Sequence, residues 1–468
     1  MEDKDYREPE TEKKGLWRII DSIEGDKVIW IIVLLLILIS VLAIFSSTPL
    51  LSQESRIEIM KSHGKVAIAG LALIFVLYKF VTKIGIYRFF SQFGFFVSLV
   101  LLILLDGHCK LGFINAQYLN GAWRTLSLMG VQIHVFEVVK VAMVMYLAWA
   151  LHALKQDREA LERGEKSPTF WLANSLAEKK GFEFMAKPFA KRSLYIYLPS
   201  VLVCGLVMPG SNSSAIFIAL ILIGTMLIGG IPFKELLAAG AAMMVMAGIL
   251  FGIYKASDGQ LMRRMATFES RMKANYDTEI LEKYRKESPE FYHALDSIRQ
   301  PYGARVAVHE GKLIGKGIGN STQKYSVTHI YSDYMFSFII EEYGLLGGIF
   351  IIILYLSLLA RSSMTIRLCS NEFAKIAIGG LAFLITGQAF LHIMVNSGII
   401  PMTGQTLPLL SDGASAFLTS CLAFGIILSV SRMAKKKTRS VEEAQFKSSD
   451  DIQARLSILE QIDDEQQL

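Results

Sequence analysis

Asp333, Glu341 and Glu342 stand close together where a polar segment runs into a long apolar one. A carboxylate near a hydrocarbon boundary needs a partner, water or a task, so these three are candidates for proton transfer or for binding a polar substrate. Ahead of them, the stretch GKLIGKGIGNSTQK places glycines at 311, 315, 317 and 319 before Asn320, Ser321, Gln323 and Lys324. Such a loop could hold an anionic sugar or phosphate, although a plain turn is the commoner use of this composition. Glu137 and Lys140 have the i, i+3 spacing that shares one helix face, where the two charges can neutralise each other inside a bundle. Direct substrate contact and a buried pair that holds helices in register are both open to them. Gln388 and His392, at i and i+4, and His134 beside the ion pair could relay protons, with packing the commoner role.

The elements that must carry these groups are membrane spans. The chain has 468 residues, 52% of them hydrophobic, and a mean hydropathy of +0.41. Residues 28–46 run without a charge, enough at about 1.5 Å per residue to cross a hydrocarbon core roughly 30 Å thick. Polar, charged residues precede this full-length run, so it is expected to be a retained first span rather than a cleaved signal. Further spans are expected near 65–78, 89–105, 131–151, 194–208, 214–230, 235–254, 344–360, 376–395 and 415–430. The expectation is an all-α polytopic membrane protein of about ten helices, with a large extracytoplasmic loop, 255–330, between the seventh and the eighth. That loop is too long for a passive connection in a compact bundle. Residues 106–130 read as a shorter loop carrying Arg124.

Lys79, Lys83 and Arg88, and the basic segment 152–192, set the cytoplasmic side, which places both termini in the cytoplasm. The chain divides into an N-terminal arm, 1–27, a transmembrane domain, 28–432, and a tail, 433–468, whose composition reads as disordered. The formal charge of +6 comes from 48 basic and 42 acidic residues, a bias that fits basic cytoplasmic loops rather than nucleic-acid binding. Four cysteines lie far apart without metal-ligand spacing, so neither a disulfide framework nor a metal site is indicated.

Three ordered stretches carry a family resemblance. GKGIGNSTQK with SDYMFSFIIEEYGLLGG resembles GlGxGNSxQK and TDFIFAxxxEExG, VNSGIIPMTGQTLPLLSDGAS resembles NxGxxPxTGxxLPxxSYGGS, and NGAWRTL with FEVVK resembles NGARRW and PSExxK. These are motifs of the SEDS family of ten-span bacterial peptidoglycan polymerases, and the NSTQK form is closer to its FtsW-like division branch than to RodA-like members. The chain departs from the pattern at Val135 and Phe136, where the family has Pro and Ser. Gly210 replaces the acid of a Pro-Asp pair, and Asp412 and Ala414 replace Tyr and Gly of SYGGS.

The resemblance implies a peptidoglycan glycosyltransferase that polymerises lipid II at the outer face of the cytoplasmic membrane. Asp333 would be the general base, and helix capping is the competing role for it. Arg124, Glu137, Lys140, Asn320, Ser321, Lys324, Glu341 and Glu342 would line the substrate site. Arg124 and Lys324 would meet the pyrophosphate, and one of Glu341 and Glu342 would face the cavity while the other turns away. The resemblance also implies a divalent cation, Mg or Mn, at the pyrophosphate. The implied partners are a class B penicillin-binding protein acting as transpeptidase and other division proteins. Two other readings are open: a lipid II flippase, and a division scaffold whose own site has decayed.

Overall fold

The computed structural model describes residues 24–48, 53–112, 114–119, 122–165, 169–179, 183–238, 288–328 and 330–466, with scattered residues between 240 and 252. The expected N-terminal arm to residue 23, most of the expected seventh span and the first half of the outer loop lie outside the described residues. Within them, eight helices are long and apolar enough to cross a membrane. They belong to α1 (Lys27–Ser47), α2 (Gln53–Phe80), α3 (Ile84–Asp106), α4 (Val135–Glu162), α5 (Pro188–Val207), α8 (Met335–Leu368), α9 (Glu372–Asn396) and α10 (Ala414–Gln466). A shorter apolar helix, α6 (Asn212–Ile228), stands among them, and α7 (Pro289–Gly311) leads into the glycine-rich loop. The chain is an integral membrane protein with a helical fold.

Polar residues set the starts of the spans. Asp26 caps α1 by accepting the amides of Val28 and Ile29, and it also pairs with Arg361 near the far end of α8 at 2.8 Å. Ser211 caps α6 and Asn371 caps α9, each accepting an otherwise orphaned first-turn amide. The bundle centres on α4 and α9, which pack on each other and share α6 as a neighbour. Gly380 makes that approach possible. A Cβ at this position would stand 2.7 Å from the Val144 side chain and 3.1 Å from Thr225.

Several boundaries differ from the sequence reading, among them the second span, which begins at Ile57 instead of 65, and the fifth, at Pro188 instead of 194. Residues 110–134, expected mostly as loop, form an antiparallel meander in the order β1 (Lys110–Leu111), β2 (Ile114–Leu119), β3 (Ala122–Leu128) and β4 (Val131–His134). Met129 and Gly130, at φ of 50° and 85°, supply the two-residue turn between β3 and β4. The fourth span therefore begins at Val135 instead of 131. Near the eighth span, a helical segment from Met335 precedes the expected start at 344, where the backbone breaks at Gly344, so Glu341 and Glu342 lie in helix just before that break. The last helix continues past 432 to Gln466, where a disordered tail was expected. No glycine or proline follows Gly425, and the Ala, Lys, Glu, Gln and Leu of this segment are all good helix formers.

Candidate active site

The glycine-rich loop folds back onto α8. Gly344 breaks that helix with φ 73° and ψ −177°, and the loop enters the break: Lys316 N donates to Glu341 O, Gly317 N to Glu342 O, and Leu345 N to Lys312 O. Only glycine fits at the crossing. A Cβ on Gly344 would lie 2.2 Å from Leu313 O, and one on Gly315 would lie 2.3 Å from Glu342 O. Both positions also carry positive φ, which side chains resist.

Glu341 and Glu342 are fully buried, and both point into this loop, so neither turns towards a cavity as expected. Glu341 accepts from Ser321 Oγ at 2.5 Å, Thr322 N at 2.8 Å, Thr322 Oγ1 at 3.0 Å and Lys316 Nζ at 2.9 Å. Lys316 also pairs with Glu310. Burial alone would lower the Lys316 pKa, but the hydrogen bonds to Glu310 and Glu341 outweigh it and raise the ammonium above its ordinary value. Glu342 accepts from Ser46 Oγ at 2.7 Å and Gly319 N at 3.0 Å, which ties the loop to the end of α1. Lys324 is buried beside it, with Nζ donating to Gly319 O at 2.7 Å and Ser46 O at 3.3 Å. Asn320 is exposed and donates to Lys316 O at 3.0 Å. Ser321, Lys324, Glu341 and Glu342 thus stand together as the internal fastening of one loop. Sequence reasoning missed Ser46 and Lys316, since a serine at the end of a span carries no signal of its own.

A second cluster sits inside the bundle. Lys140 Nζ donates to Glu137 Oε1 at 2.8 Å, Gln388 Oε1 at 2.7 Å and Gln405 Oε1 at 3.0 Å. These three acceptors match the three hydrogens of an ammonium group. Gln405 belongs to the loop between α9 and α10, and its amide donates onward to Ser214 Oγ at the start of α6. The backbone of that loop reaches the next group as well: Gln405 O meets His392 Nδ1 at 2.8 Å. His134 lies at the edge, where its backbone amide donates to Ser415 Oγ at 3.1 Å.

Asp333 lies between a single helical turn, Ile330–Asp333, and the start of α8. Its side chain is half-buried, with Ser332 Oγ 3.5 Å from Oδ1. The backbone here is gripped from outside its own segment. Three successive carbonyls each receive a donor: Tyr331 O from Asp412 N at 2.9 Å, Ser332 O from Ser411 Oγ at 2.7 Å, and Asp333 O from Asn396 Nδ2 at 3.2 Å. On the other side, the amide of Phe336 donates to His392 Nε2 at 3.4 Å and that of Ser337 to Asn396 Oδ1 at 2.9 Å. The first-turn amides of α8 are therefore met by α9, and the helix carries no side-chain cap of its own. With Nε2 accepting from Phe336, Nδ1–H of His392 donates to Gln405 O, which makes this imidazole a neutral fastening. Burial raises the pKa of the Tyr331 hydroxyl, and the negative charges of Asp412 and Asp333 raise it further.

Arg124 projects from β3, half-buried, and its Nε donates to Gly210 O at 3.2 Å. Two of the departures from the family pattern, Phe136 and Gly210, meet at this point. A Cβ on Gly210 would lie 2.4 Å from Phe136 Cζ and 2.8 Å from Trp123 O, so Phe136 fills the space that an acid at position 210 would need. The partner of Asp412 is His63 on α2, with Nδ1 at 3.7 Å. Among the described residues no group of three or more His, Cys, Asp or Glu could hold a metal ion by itself.

The comparisons with known proteins agree with this architecture. The model of the FtsW/RodA/SpoVE family, described as "Cell cycle protein", matches residues 26–436. A probable peptidoglycan glycosyltransferase FtsW of Coxiella burnetii is 26% identical over 77% of this chain and 83% of its own length. One of the same name from Bacillus subtilis is 27% identical over 79% and 80%. Among solved structures, a chain described under "Structural coordination of polymerization and crosslinking by a peptidoglycan synthase complex" superposes with a TM-score of 0.59 at 19% identity, covering 88% of this chain and 98% of that one. The Thermus thermophilus rod shape determining protein RodA superposes with a TM-score of 0.53 at 17% identity, covering 88% and 98%. By its sequence motifs, its family match and its fold, the chain belongs to the FtsW/RodA/SpoVE family.

Proposed function

We propose that this protein is a peptidoglycan glycosyltransferase that polymerises lipid II at the outer face of the bacterial cytoplasmic membrane, with Asp333 as general base. The observation that carries the reading is the treatment of Asp333: partners from α9 and the following loop fix its backbone, while the first turn of α8 is met by His392 and Asn396 instead of by its carboxylate. A fixed, half-buried acid at the end of a span is a group set out for proton transfer. In the reaction, the acceptor sugar hydroxyl gives its proton to Asp333 as its oxygen bonds to the anomeric carbon of the donor. The bond from that carbon to the undecaprenyl pyrophosphate breaks, and the pyrophosphate departs with the electron pair.

Arg124, half-buried on β3, and Lys324, buried in the loop, are the cations proposed to meet the leaving group, and each also holds backbone carbonyls. A divalent cation would have the Asp333 carboxylate and the substrate phosphates to hold it, and it would supply charge neutralisation there. Asn320, exposed on the loop, is available to the sugar or peptide, whereas Ser321, Glu341 and Glu342 act through the shape of that loop. Glu137 and Lys140 hold Gln388 and Gln405 in place. A flippase would need these charges to exchange partners during transport, and the three-acceptor arrangement at Lys140 disfavours that. The similarity to FtsW proteins supports service in cell division, with both termini cytoplasmic and a class B penicillin-binding protein and other division proteins as partners.

The test is to supply lipid II and Mg or Mn to the purified protein, alone and with the transpeptidase, and to look for glycan strands. Strands from the wild type support the reading. Lipid II movement across proteoliposomes without any strands would transfer the protein to the transporter class.

A further inference from the structure

Asp412 puts a charge where the family pattern has Tyr. In the structure it stands between two fastenings. Its amide donates to Tyr331 O at 2.9 Å, two residues before Asp333, and its carboxylate faces His63 Nδ1 at 3.7 Å. His63 is 4% exposed on α2, deep enough that the pairing needs a defined geometry. The other ring nitrogen, Nε2, lies 2.8 Å from Ser40 Oγ on α1. Ser40 is fully buried, and its hydroxyl also lies 3.4 Å from Leu410 O. Phe417 closes the imidazole edge-on at 5.4 Å.

This arrangement links α1, α2 and the loop before α10 to the segment that carries Asp333. Ser411, next to Asp412, donates to Ser332 O, and its Oγ accepts from Leu407 N at 2.9 Å. The loop therefore reaches the carbonyls of Tyr331 and Ser332 through two adjacent residues, and the lateral pull on those residues comes from His63. Ser40 gives the imidazole a partner in either state. Its hydroxyl hydrogen can point to Nε2 when Nδ1–H faces Asp412, or turn to Leu410 O when both ring nitrogens carry protons.

We propose that His63 and Asp412 are positioning residues for the transfer reaction: their pairing anchors the 407–413 loop, and through it sets the backbone on which Asp333 is presented. The proposal deepens the glycosyltransferase reading and rests on it for the rate effect. The positional effect is independent of any activity.

The experiment uses the full chain in detergent with Asp412→Asn, Asp412→Glu, His63→Gln and the Asp412→Asn/His63→Gln double variant. Amide hydrogen exchange over residues 330–337 is followed beside glycan synthesis. Asp412→Asn keeps the amide and the shape while removing the charge, and it should speed exchange across 330–337 by roughly tenfold. It should also lower kcat by roughly tenfold or more with KM for lipid II held within about twofold, because the base is misplaced while the substrate surface is intact. His63→Gln should reproduce both effects, the double variant should be no worse than either single one, and Asp412→Glu should restore most of the rate. Unchanged exchange at 330–337 in Asp412→Asn overturns the proposal, as do effects that multiply in the double variant. A wild type that makes no glycan, together with the expected exchange pattern, defeats the glycosyltransferase reading and leaves the anchoring standing.

Discussion

Two regions of this protein gather carboxylates at the ends of spans, and they use them in opposite ways. In the loop around Gly344, Glu341 and Glu342 are wrapped by hydroxyls, backbone amides and Lys316, so their charge is spent on holding the chain in a single path. At Asp333, partners from α9 and the following loop hold the backbone, and the half-buried side chain has Ser332 Oγ 3.5 Å from Oδ1. Residue type and place in the sequence are alike in the two regions. The difference lies in where the long-range hydrogen bonds fall: on the carboxylates of Glu341 and Glu342 in one region, and on the main-chain carbonyls of residues 331–333 in the other.

The comparison breaks most severely at the loop crossing. Gly344→Ala places a methyl against Leu313 O at a positive-φ site and should cost several kcal/mol, read as loss of folded protein on size exclusion and a large fall in thermal midpoint. Glu341→Ala strips Lys316, Ser321 and Thr322 of a common acceptor and should lower stability by about 3–5 kcal/mol, visible in thermal unfolding before any assay. Lys140→Met leaves Glu137, Gln388 and Gln405 facing an apolar group and should cost about 3 kcal/mol; pairing it with Glu137→Gln should recover part of that. Gly210→Asp should lose about 1–3 kcal/mol through its collision with Phe136 and with Trp123 O, and Phe136→Ser in the same chain should recover only the side-chain part of the loss in thermal midpoint. The smallest effect is expected at Asn320, exposed with one backbone bond, where Ala should change stability by less than about 0.5 kcal/mol. Any rate effect there would then report contact with substrate.

Much of the architecture was legible in the chain, because uncharged apolar runs have few other uses. The ends of the spans were harder to read. Glu341 and Glu342 look like a loop to a reader of charge, yet they lie inside α8 because the loop that folds back on it supplies their partners from far away in sequence. The meander was hidden by the apolar residues of β4, which read as the beginning of a span, and by a Met129–Gly130 turn that lacks the usual Asn or Asp before its glycine. For the site, the resemblance drew attention to Asp333 and to its neighbours in the motif, but proximity in a motif did not separate groups aimed inward from those aimed outward. Asn396, His392 and Ser411 lay in the quoted motif or just before it, and their work is on the backbone around Asp333, which no side-chain pattern announces. His63 and Ser40 carried no signal, since a lone histidine or serine in a span is more often packed than paired.

The central claim is that Asp333 does chemistry and Glu341 does not, and one measurement addresses it: glycan synthesis per folded molecule for Asp333→Asn and Glu341→Gln, each normalised to its thermal unfolding curve in the same detergent. The account predicts that Asp333→Asn melts with the wild type and makes no strands, while Glu341→Gln melts early and retains activity in proportion to the folded fraction. Activity kept by a folded Asp333→Asn variant, or lost by a fully folded Glu341→Gln variant, would contradict it.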